Sequence, residues 1–158
     1  MEELARRIGE RLKAARAMLA TAESCTGGWA AQVVTSVAGS SEWFERGFVT
    51  YSNAAKEELL GVRAETLKRH GAVSEETARE MARGALERSR ASVALSITGV
   101  AGPGGGSAEK PVGMICFAWA RGGEVRSETR HLSGDRASVR RQSVILALEG
   151  VLKTLEGG

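Results

Sequence analysis

Three side chains that can act as nucleophiles stand together in the stretch TAESCTGGWA, residues 21–30: Ser24, Cys25 and Thr26. The residues before them favour a strand, and the residues after the two glycines favour a helix. A residue at such a strand-to-helix turn projects from the carboxyl edge of the sheet, where the N–H groups that follow it can hold a negative charge. Ser24 is therefore a candidate nucleophile, with the N–H groups of Thr26 and Gly27 as an oxyanion hole.

The same stretch has simpler interpretations. It could be an ordinary helix start capped by Thr26, or a turn that binds a phosphate without covalent chemistry. Cys25 is expected to pack rather than react, because alternation along a strand turns its side chain away from that of Ser24. A buried thiol also has a raised pKa.

A serine nucleophile needs a base. The two histidines, His70 and His131, lie outside any stretch that resembles an active-site motif. A lysine held neutral can replace a histidine. Lys56, in FVTYSNAAK, falls in the first turn of a short helix that Asn53 is placed to cap, where the helix dipole and partial burial lower an ammonium pKa. The alternative is a solvated Lys56 paired with a glutamate that follows it.

A glycine-rich segment, GVAGPGGGSAEKP, follows the apolar run SVALSIT. It lacks the Gly-Lys-Ser/Thr ending of an ATP-binding P-loop. Thr98, Gly99 and Gly102 could instead line a nucleotide pocket at the end of a strand. A mobile surface loop is the alternative.

Two arginines, Arg136 and Arg140, stand four positions apart at the start of the last predicted helix, which Asp135 is placed to cap. Guanidinium groups at a helix start suit a phosphate monoester. We expect Arg136 to contact phosphate or ribose. Solvated arginines, or an Arg136–Asp135 pair, are the alternatives.

The order of predicted elements indicates the fold class. Helical spacing predicts an amphipathic helix over residues 2–17, and Ser74 is placed to cap a longer helix over residues 75–90. Residues 48–51 predict a strand, and VGMICFAWA and EVRSETRHL predict an antiparallel hairpin. Strands that first alternate with helices and then form a hairpin predict one three-layer α/β/α domain with a mixed β-sheet over residues 1–158.

The composition disfavours several classes of function. The chain of 158 residues, 42% hydrophobic and 26% charged, is typical of a soluble globular protein. A formal net charge of +3 and 4% aromatic residues do not indicate nucleic-acid binding. The two cysteines form no Cys/His cluster, so no structural zinc is expected. No apolar run approaches the ~20 residues of a membrane span. We expect a cytoplasmic protein without a metal, a cofactor, or a nucleic-acid or membrane partner.

Several segments together resemble one known family, the CinA C-terminal domain family. In chain order they are AESCTGG, GSSEWFERGFVTYSNAAK, HGAVSEETA, SITGVAGPGGGSAEKPVG and SGDRASVRRQ. Stand-alone members of this family are nicotinamide-nucleotide amidohydrolases, also called PncC. The resemblance implies hydrolysis of the carboxamide of nicotinamide mononucleotide, which gives nicotinate mononucleotide and ammonia. It also implies a homodimer and a Ser-Lys mechanism carried by Ser24 and Lys56.

In the expected mechanism, neutral Lys56 takes the proton of Ser24 as Oγ attacks the amide carbon, and N–H groups around Thr26 and Gly27 hold the oxyanion. Lys56 returns the proton to departing ammonia, and water then cleaves the acyl-enzyme. Tyr51, just before the lysine helix, could orient the lysine or the amide, or it could be a half-buried strand tyrosine. No metal is expected, because the pyridinium ring already activates the carboxamide. The expected substrate-binding residues are Asn53, Thr98, Gly99, Gly102, Arg136 and Arg140.

A second function stays open, that of a nucleotide-sensing or partner-binding module that keeps the pocket without turnover. The family resemblance is the reason, because this domain is often fused to another domain linked to competence and nucleotide metabolism. Only about 20 residues precede the first motif here, and both Ser24 and Lys56 are present. These features favour the enzyme.

Overall fold

Helices cover both faces of a five-stranded sheet in the computed structural model, which describes residues 1–157. Gly158, the last position of the predicted domain, lies outside the described residues. The strands are β1 (Leu19–Glu23), β2 (Phe44–Val49), β3 (Val93–Gly99), β4 (Met114–Arg121) and β5 (Glu124–His131). The helices are α1 (Glu2–Ala14), α2 (Trp29–Thr35), α3 (Asn53–Leu60), α4 (Ala64–His70), α5 (Glu75–Glu87) and α6 (Arg136–Glu156). A short 3₁₀ helix spans Ser40–Glu42.

The strand order is β2-β1-β3-β4-β5. β1 is parallel to both of its neighbours, whereas β4 is antiparallel to β3 and to β5. This arrangement confirms the predicted α/β/α class with a mixed sheet. Because β2, β1 and β3 run in one direction, their carboxyl ends meet at the same edge, where Glu23 pairs with Val49 and with Ile97.

The two faces of the sheet have different packing. Large side chains of β4 (Ile115, Phe117 and Trp119) point into the core shared with α1, α2 and α6. Small side chains of the same strand (Cys116, Ala118 and Ala120) lie in the core on the α5 side. Period-two alternation in the strand separates the two sets, and the small set allows α5 to pack close to the sheet.

Two predicted helix caps are confirmed and two are wrong. The side chains of Ser74 and Asp135 accept hydrogen bonds from the first turns of α5 and α6. At α3 the cap is Ser52 rather than Asn53, because the Ser52 hydroxyl accepts from the Ala55 N–H at 3.0 Å. Gly28 rather than Thr26 occupies the N-cap position of α2.

β2 begins and ends earlier than residues 48–51, where the strand was predicted. β2 is an edge strand that pairs only with β1. Its first residues, FERG, are partly or fully exposed, so they lack the alternation of buried and exposed residues that predicts a strand. None of the helices within residues 1–157 is long and apolar enough to cross a bilayer.

Candidate active site

Ser24 and Lys56 meet at the carboxyl edge of the sheet, where Lys56 Nζ lies 3.0 Å from Ser24 Oγ. Ser24 directly follows β1, and its N–H donates to the Ile97 carbonyl at 2.9 Å, which fixes its backbone beside β3. Lys56 belongs to α3, which follows the neighbouring strand β2. Parallel pairing of β1 and β2 thus brings together two side chains that are 32 positions apart.

Lys56 is a buried lysine, with 2% of its surface exposed. Its Nζ also donates to the Thr50 carbonyl at 3.1 Å. Burial lowers the pKa of Lys56 below its ordinary value of 10.5. A neutral Nζ has a lone pair that can accept the Ser24 hydroxyl proton while an N–H still donates to Thr50. The alternative of a solvated lysine is wrong.

The turn after Ser24 offers N–H groups toward a bound substrate. The Gly27 N–H donates to the Ser24 carbonyl at 3.0 Å, so it is already used within the turn. Gly27 and Gly28 have φ of +61° and +101°, a region that favours glycine. Within residues 1–157, the N–H groups of Cys25 and Thr26 have no acceptor. We therefore move the expected oxyanion donor from Gly27 to Cys25, which lines the cleft beside Ser24, whereas Thr26 is fully buried and does not line it.

Cys25 packs in the core beside α1 and α6, with 7% of its surface exposed. Burial raises the pKa of its thiol to about 12. The thiol is therefore neutral near pH 7, which disfavours it as the nucleophile even though Cys25 is among the residues that line the cleft beside Ser24.

A cleft of about 280 Å³ opens beside Ser24. Of the predicted substrate-binding residues, Gly99, Gly102 and Arg136 line it, and so does Tyr51. Asn53, Thr98 and Arg140 do not line it. Sequence reasoning missed five of its lining residues, which are small or apolar and therefore carry no chemical signal: Val73, Val100, Ala101, Gly104 and Gly105.

Thr98 is buried and has a structural partner. Its hydroxyl donates to the Ala72 carbonyl at 2.9 Å, which ties the end of β3 to the segment between α4 and α5. Asn53 is exposed as the first residue of α3.

The two arginines of α6 have different partners. Arg136 donates through Nη1 to the Gly102 carbonyl at 2.8 Å and through Nη2 to the Tyr51 hydroxyl at 3.1 Å. Arg140 donates through Nε to the Cys25 carbonyl and through Nη2 to the Thr26 carbonyl, both at 3.1 Å. Arg136 therefore faces the cleft, while Arg140 holds the back of the Ser24 turn.

Tyr51 follows the end of β2 and has 61% of its surface exposed, so the alternative of a half-buried strand tyrosine is wrong. Its hydroxyl reaches Arg136 rather than Lys56. Sequence reasoning also missed Glu23 and Thr50, two buried polar residues next to the Ser-Lys pair. Their signal was a polar residue at or just after the end of a strand. In the described part of the chain, no three His, Cys, Asp or Glu side chains are grouped so that they could hold a metal ion.

Residues 1–155 match the sequence profile of the CinA C-terminal domain. The chain belongs to this family. It is 57% identical over 148 residues to the nicotinamide-nucleotide amidohydrolase PncC of Escherichia coli K12, a match that covers 93% of this chain and 90% of that protein. A CinA-like protein of Syntrophobacter fumaroxidans is 52% identical over 141 residues, which are 89% of this chain and 33% of that protein.

A solved structure has the same fold. The crystal structure of the competence/damage inducible protein CihA from Agrobacterium tumefaciens superposes with a TM-score of 0.93 at 52% identity, covering 98% of this chain and 94% of that chain. The predicted membership in the CinA C-terminal domain family, including its similarity to stand-alone PncC proteins, is confirmed.

Proposed function

We propose that this member of the CinA C-terminal domain family is an amidohydrolase that converts nicotinamide mononucleotide and water into nicotinate mononucleotide and ammonia. The observation that carries the proposal is the 3.0 Å contact between Lys56 Nζ and Ser24 Oγ beside the cleft. The 57% identity to a protein named nicotinamide-nucleotide amidohydrolase gives the substrate.

Acylation begins when neutral Lys56 accepts the hydroxyl proton of Ser24 and Oγ attacks the carboxamide carbon. The N–H of Cys25, which lines the cleft, holds the oxygen that becomes negative. The C–N bond then breaks, and the Lys56 ammonium returns the proton to the leaving nitrogen, which departs as ammonia. The pyridinium ring withdraws electrons from the carboxamide throughout, so the proposal needs no metal and no cofactor.

Deacylation uses the same two side chains. Lys56 takes a proton from water as the water oxygen attacks the Ser24 ester. The C–O bond to Oγ breaks, and Lys56 returns the proton to Ser24. Nicotinate mononucleotide leaves, and the enzyme is back in its starting state.

The phosphate of the substrate is assigned to Arg136. Its guanidinium is exposed at the cleft and donates to two uncharged oxygens, so a phosphate would be a stronger acceptor. The start of α2 is not available, because the Ala30 and Ala31 N–H groups already donate to Glu23. Gly99 and Gly102 form the wall of the cleft on the β3 side.

The test is ammonia release from nicotinamide mononucleotide, with and without a chelator, by wild type, Ser24→Ala and Lys56→Ala. We expect wild type to turn over in chelator and both variants to lose activity by orders of magnitude while circular dichroism shows them folded. Full activity in either folded variant would exclude the Ser-Lys mechanism. Loss of wild-type activity in chelator alone would exclude a metal-free reaction.

A nucleotide-sensing or partner-binding module is the second candidate. It is favoured by one finding, namely that the match to the Syntrophobacter fumaroxidans relative covers only 33% of that protein. Wild type that binds the mononucleotide in calorimetry but releases no ammonia would favour this candidate over the enzyme.

We also propose a cytoplasmic homodimer, without a nucleic-acid or membrane partner. Three apolar side chains near the β2 edge support the assembly: Val49, Tyr51 and Leu59 are 47%, 61% and 45% exposed. Exposed apolar groups at a sheet edge are typical of interfaces. Light scattering on the purified chain would show the mass of a monomer if the homodimer is wrong.

A further inference from the structure

Glu23 is a buried carboxylate directly before the proposed nucleophile, with 1% of its surface exposed. Its oxygens accept three hydrogen bonds. Oε1 accepts from the Thr26 hydroxyl at 2.6 Å and from the Ala30 N–H at 2.8 Å, and Oε2 accepts from the Ala31 N–H at 3.1 Å. Within residues 1–157 it forms no salt bridge. A buried acid without an ion-pair partner is costly unless donors surround it.

One of these donors, the Thr26 hydroxyl, lies in the turn after Ser24, and the other two are N–H groups in α2, the helix that follows the turn. We infer that Glu23 is a positioning residue for catalysis, which holds the Cys25–Thr26 turn in the geometry that receives the oxyanion. This inference rests on the proposed amidohydrolase function. Glu23 does not contact the cleft and acts only through the turn.

The carboxylate binds one set of N–H groups and leaves another set unbound. Those of Ala30 and Ala31, at the start of α2, donate to Glu23. That of Cys25, which lines the cleft, is left for the substrate. Without the carboxylate, the helix N–H groups would be free to attract the substrate's phosphate or oxyanion to the wrong place.

The main chain of Glu23 joins the turn to the lysine. The Glu23 carbonyl accepts the Thr50 N–H at 2.8 Å, and the Thr50 carbonyl in turn accepts Lys56 Nζ at 3.1 Å. Glu23 therefore fixes two parts of the structure. Its side chain fixes the turn after Ser24, and its backbone carbonyl fixes Thr50, the residue that bonds Lys56. A substitution of Glu23 can remove the side-chain hydrogen bonds and leave the backbone hydrogen bond in place.

Glu23→Gln tests the side chain at nearly constant volume. The glutamine amide places a donor opposite a donor of Thr26 or α2, so the turn shifts. We expect kcat for nicotinamide mononucleotide to fall about 100-fold, the loss that a displacement of about 1 Å can cause, with KM within about twofold of wild type. An unchanged kcat in Glu23→Gln would overturn the inference.

Glu80→Gln is the matched control. Glu80 accepts from the Arg63 N–H at 2.9 Å and from the Thr66 hydroxyl at the start of α4, away from the cleft, and differs from Glu23 in also pairing with the Arg63 guanidinium at 3.5 Å. We expect this variant to keep the wild-type kcat and KM, measured well below its melting temperature. An equal fall of kcat in both variants would show that Glu23 has only a structural role, and would overturn the inference.

If Glu23→Gln does not fold, Thr26→Ser and Thr26→Val test the positioning role of Glu23 instead. Serine keeps the hydroxyl that donates to Glu23, whereas valine keeps the shape without it. We expect kcat of Thr26→Val to be about tenfold below that of Thr26→Ser, with the same KM in both. Equal kcat in the two variants would overturn the inference.

Wild type measured in the same assay distinguishes a failure of the proposed function from a failure of this inference alone. Wild type without ammonia release would overturn the proposed function and this inference with it. Wild-type turnover with unchanged Glu23→Gln or Thr26→Val would overturn the inference alone.

Discussion

The two sides of the cleft are held in different ways. On the catalytic side, residues 23–28, the Glu23 carboxylate accepts a hydrogen bond from the Thr26 hydroxyl, and Arg140 donates to the carbonyls of Cys25 and Thr26. On the substrate side, residues 99–105, Arg136 donates to the Gly102 carbonyl, and residues 103–105 are exposed. A densely bonded turn suits groups that must be placed within tenths of an ångström, whereas an open glycine-rich wall can adapt to a ligand. Substitutions on the catalytic side should therefore change kcat, and those on the substrate side KM.

Lys56→Arg should have the largest effect. Arginine has a similar length, but it does not lose its proton in proteins and cannot act as the base. We expect kcat for ammonia release to fall about 1,000-fold, within the usual contribution of a general base. Activity within tenfold of wild type would mean that Lys56 only orients Ser24 and that another group takes the proton.

The pH dependence should follow the same lysine. Because burial lowers the pKa of Lys56 from 10.5, kcat/KM should rise with pH through a pKa below that value as the base becomes neutral. Stability should rise with pH in the same window, since the unfolded chain binds a proton there that the folded chain does not. Activity profiles and chemical denaturation at several pH values check both. A flat activity profile below pH 10.5 would exclude Lys56 as the titrating base.

Arg140→Met should lower kcat although Arg140 lies outside the cleft. The substitution removes both hydrogen bonds to the carbonyls of Cys25 and Thr26, and the turn that carries the oxyanion N–H loses its fixed position. We expect a loss of about 30-fold in kcat with little change in KM. Arg141→Met, at the exposed neighbouring position, serves as the control. A rise of KM without a fall of kcat would instead assign Arg140 to substrate binding.

Arg140 also shows which features of the site could not be predicted from the sequence. The strand-and-helix order, the hairpin and the pairing of Ser24 with Lys56 followed from local patterns and the family resemblance. The partner of an arginine did not, because it depends on which backbone carbonyls a distant turn leaves unpaired. Glu23 and Thr50 were missed for the same reason. A polar residue at a strand end was their only signal, and it does not say which partners, 3 to 27 positions away, such a residue will bond.

Asn53 and Gly27 show a second limit, at the scale of single residues. Ser52 and Asn53 are both good capping residues, and only the backbone conformation decides that Ser52 caps α3. Likewise, the motif predicts an N–H cluster after Ser24, but the turn that bonds the Gly27 N–H to the Ser24 carbonyl decides which N–H groups stay free. Local sequence therefore predicts the cap of α3 and the N–H cluster after Ser24 to within about one residue.

Arg136→Ala should mainly change KM. The loss of one hydrogen-bonding charge to a phosphate should raise KM for nicotinamide mononucleotide about tenfold and leave kcat nearly unchanged. Free nicotinamide, which has no phosphate, should be affected little. The measurement is the ratio of kcat/KM for the two substrates in wild type and variant, with Arg141→Ala as the control. An unchanged ratio would show that Arg136 does not read the phosphate.

Cys25→Ala should have the smallest effect and tests the choice of nucleophile within the catalytic side. Alanine keeps the backbone N–H that is assigned to the oxyanion and removes only a thiol that is buried in the core, with a pKa raised to about 12. We expect kcat within about twofold of wild type and a fall of about 1 kcal/mol in the free energy of unfolding. Iodoacetamide should likewise leave the folded wild type active, because the thiolate that it would alkylate is scarce and Cys25 is buried. A loss of activity as large as that of Ser24→Ala would reverse the assignment. The densely bonded turn would then present the thiol, and Ser24 would be the residue that packs beside Lys56.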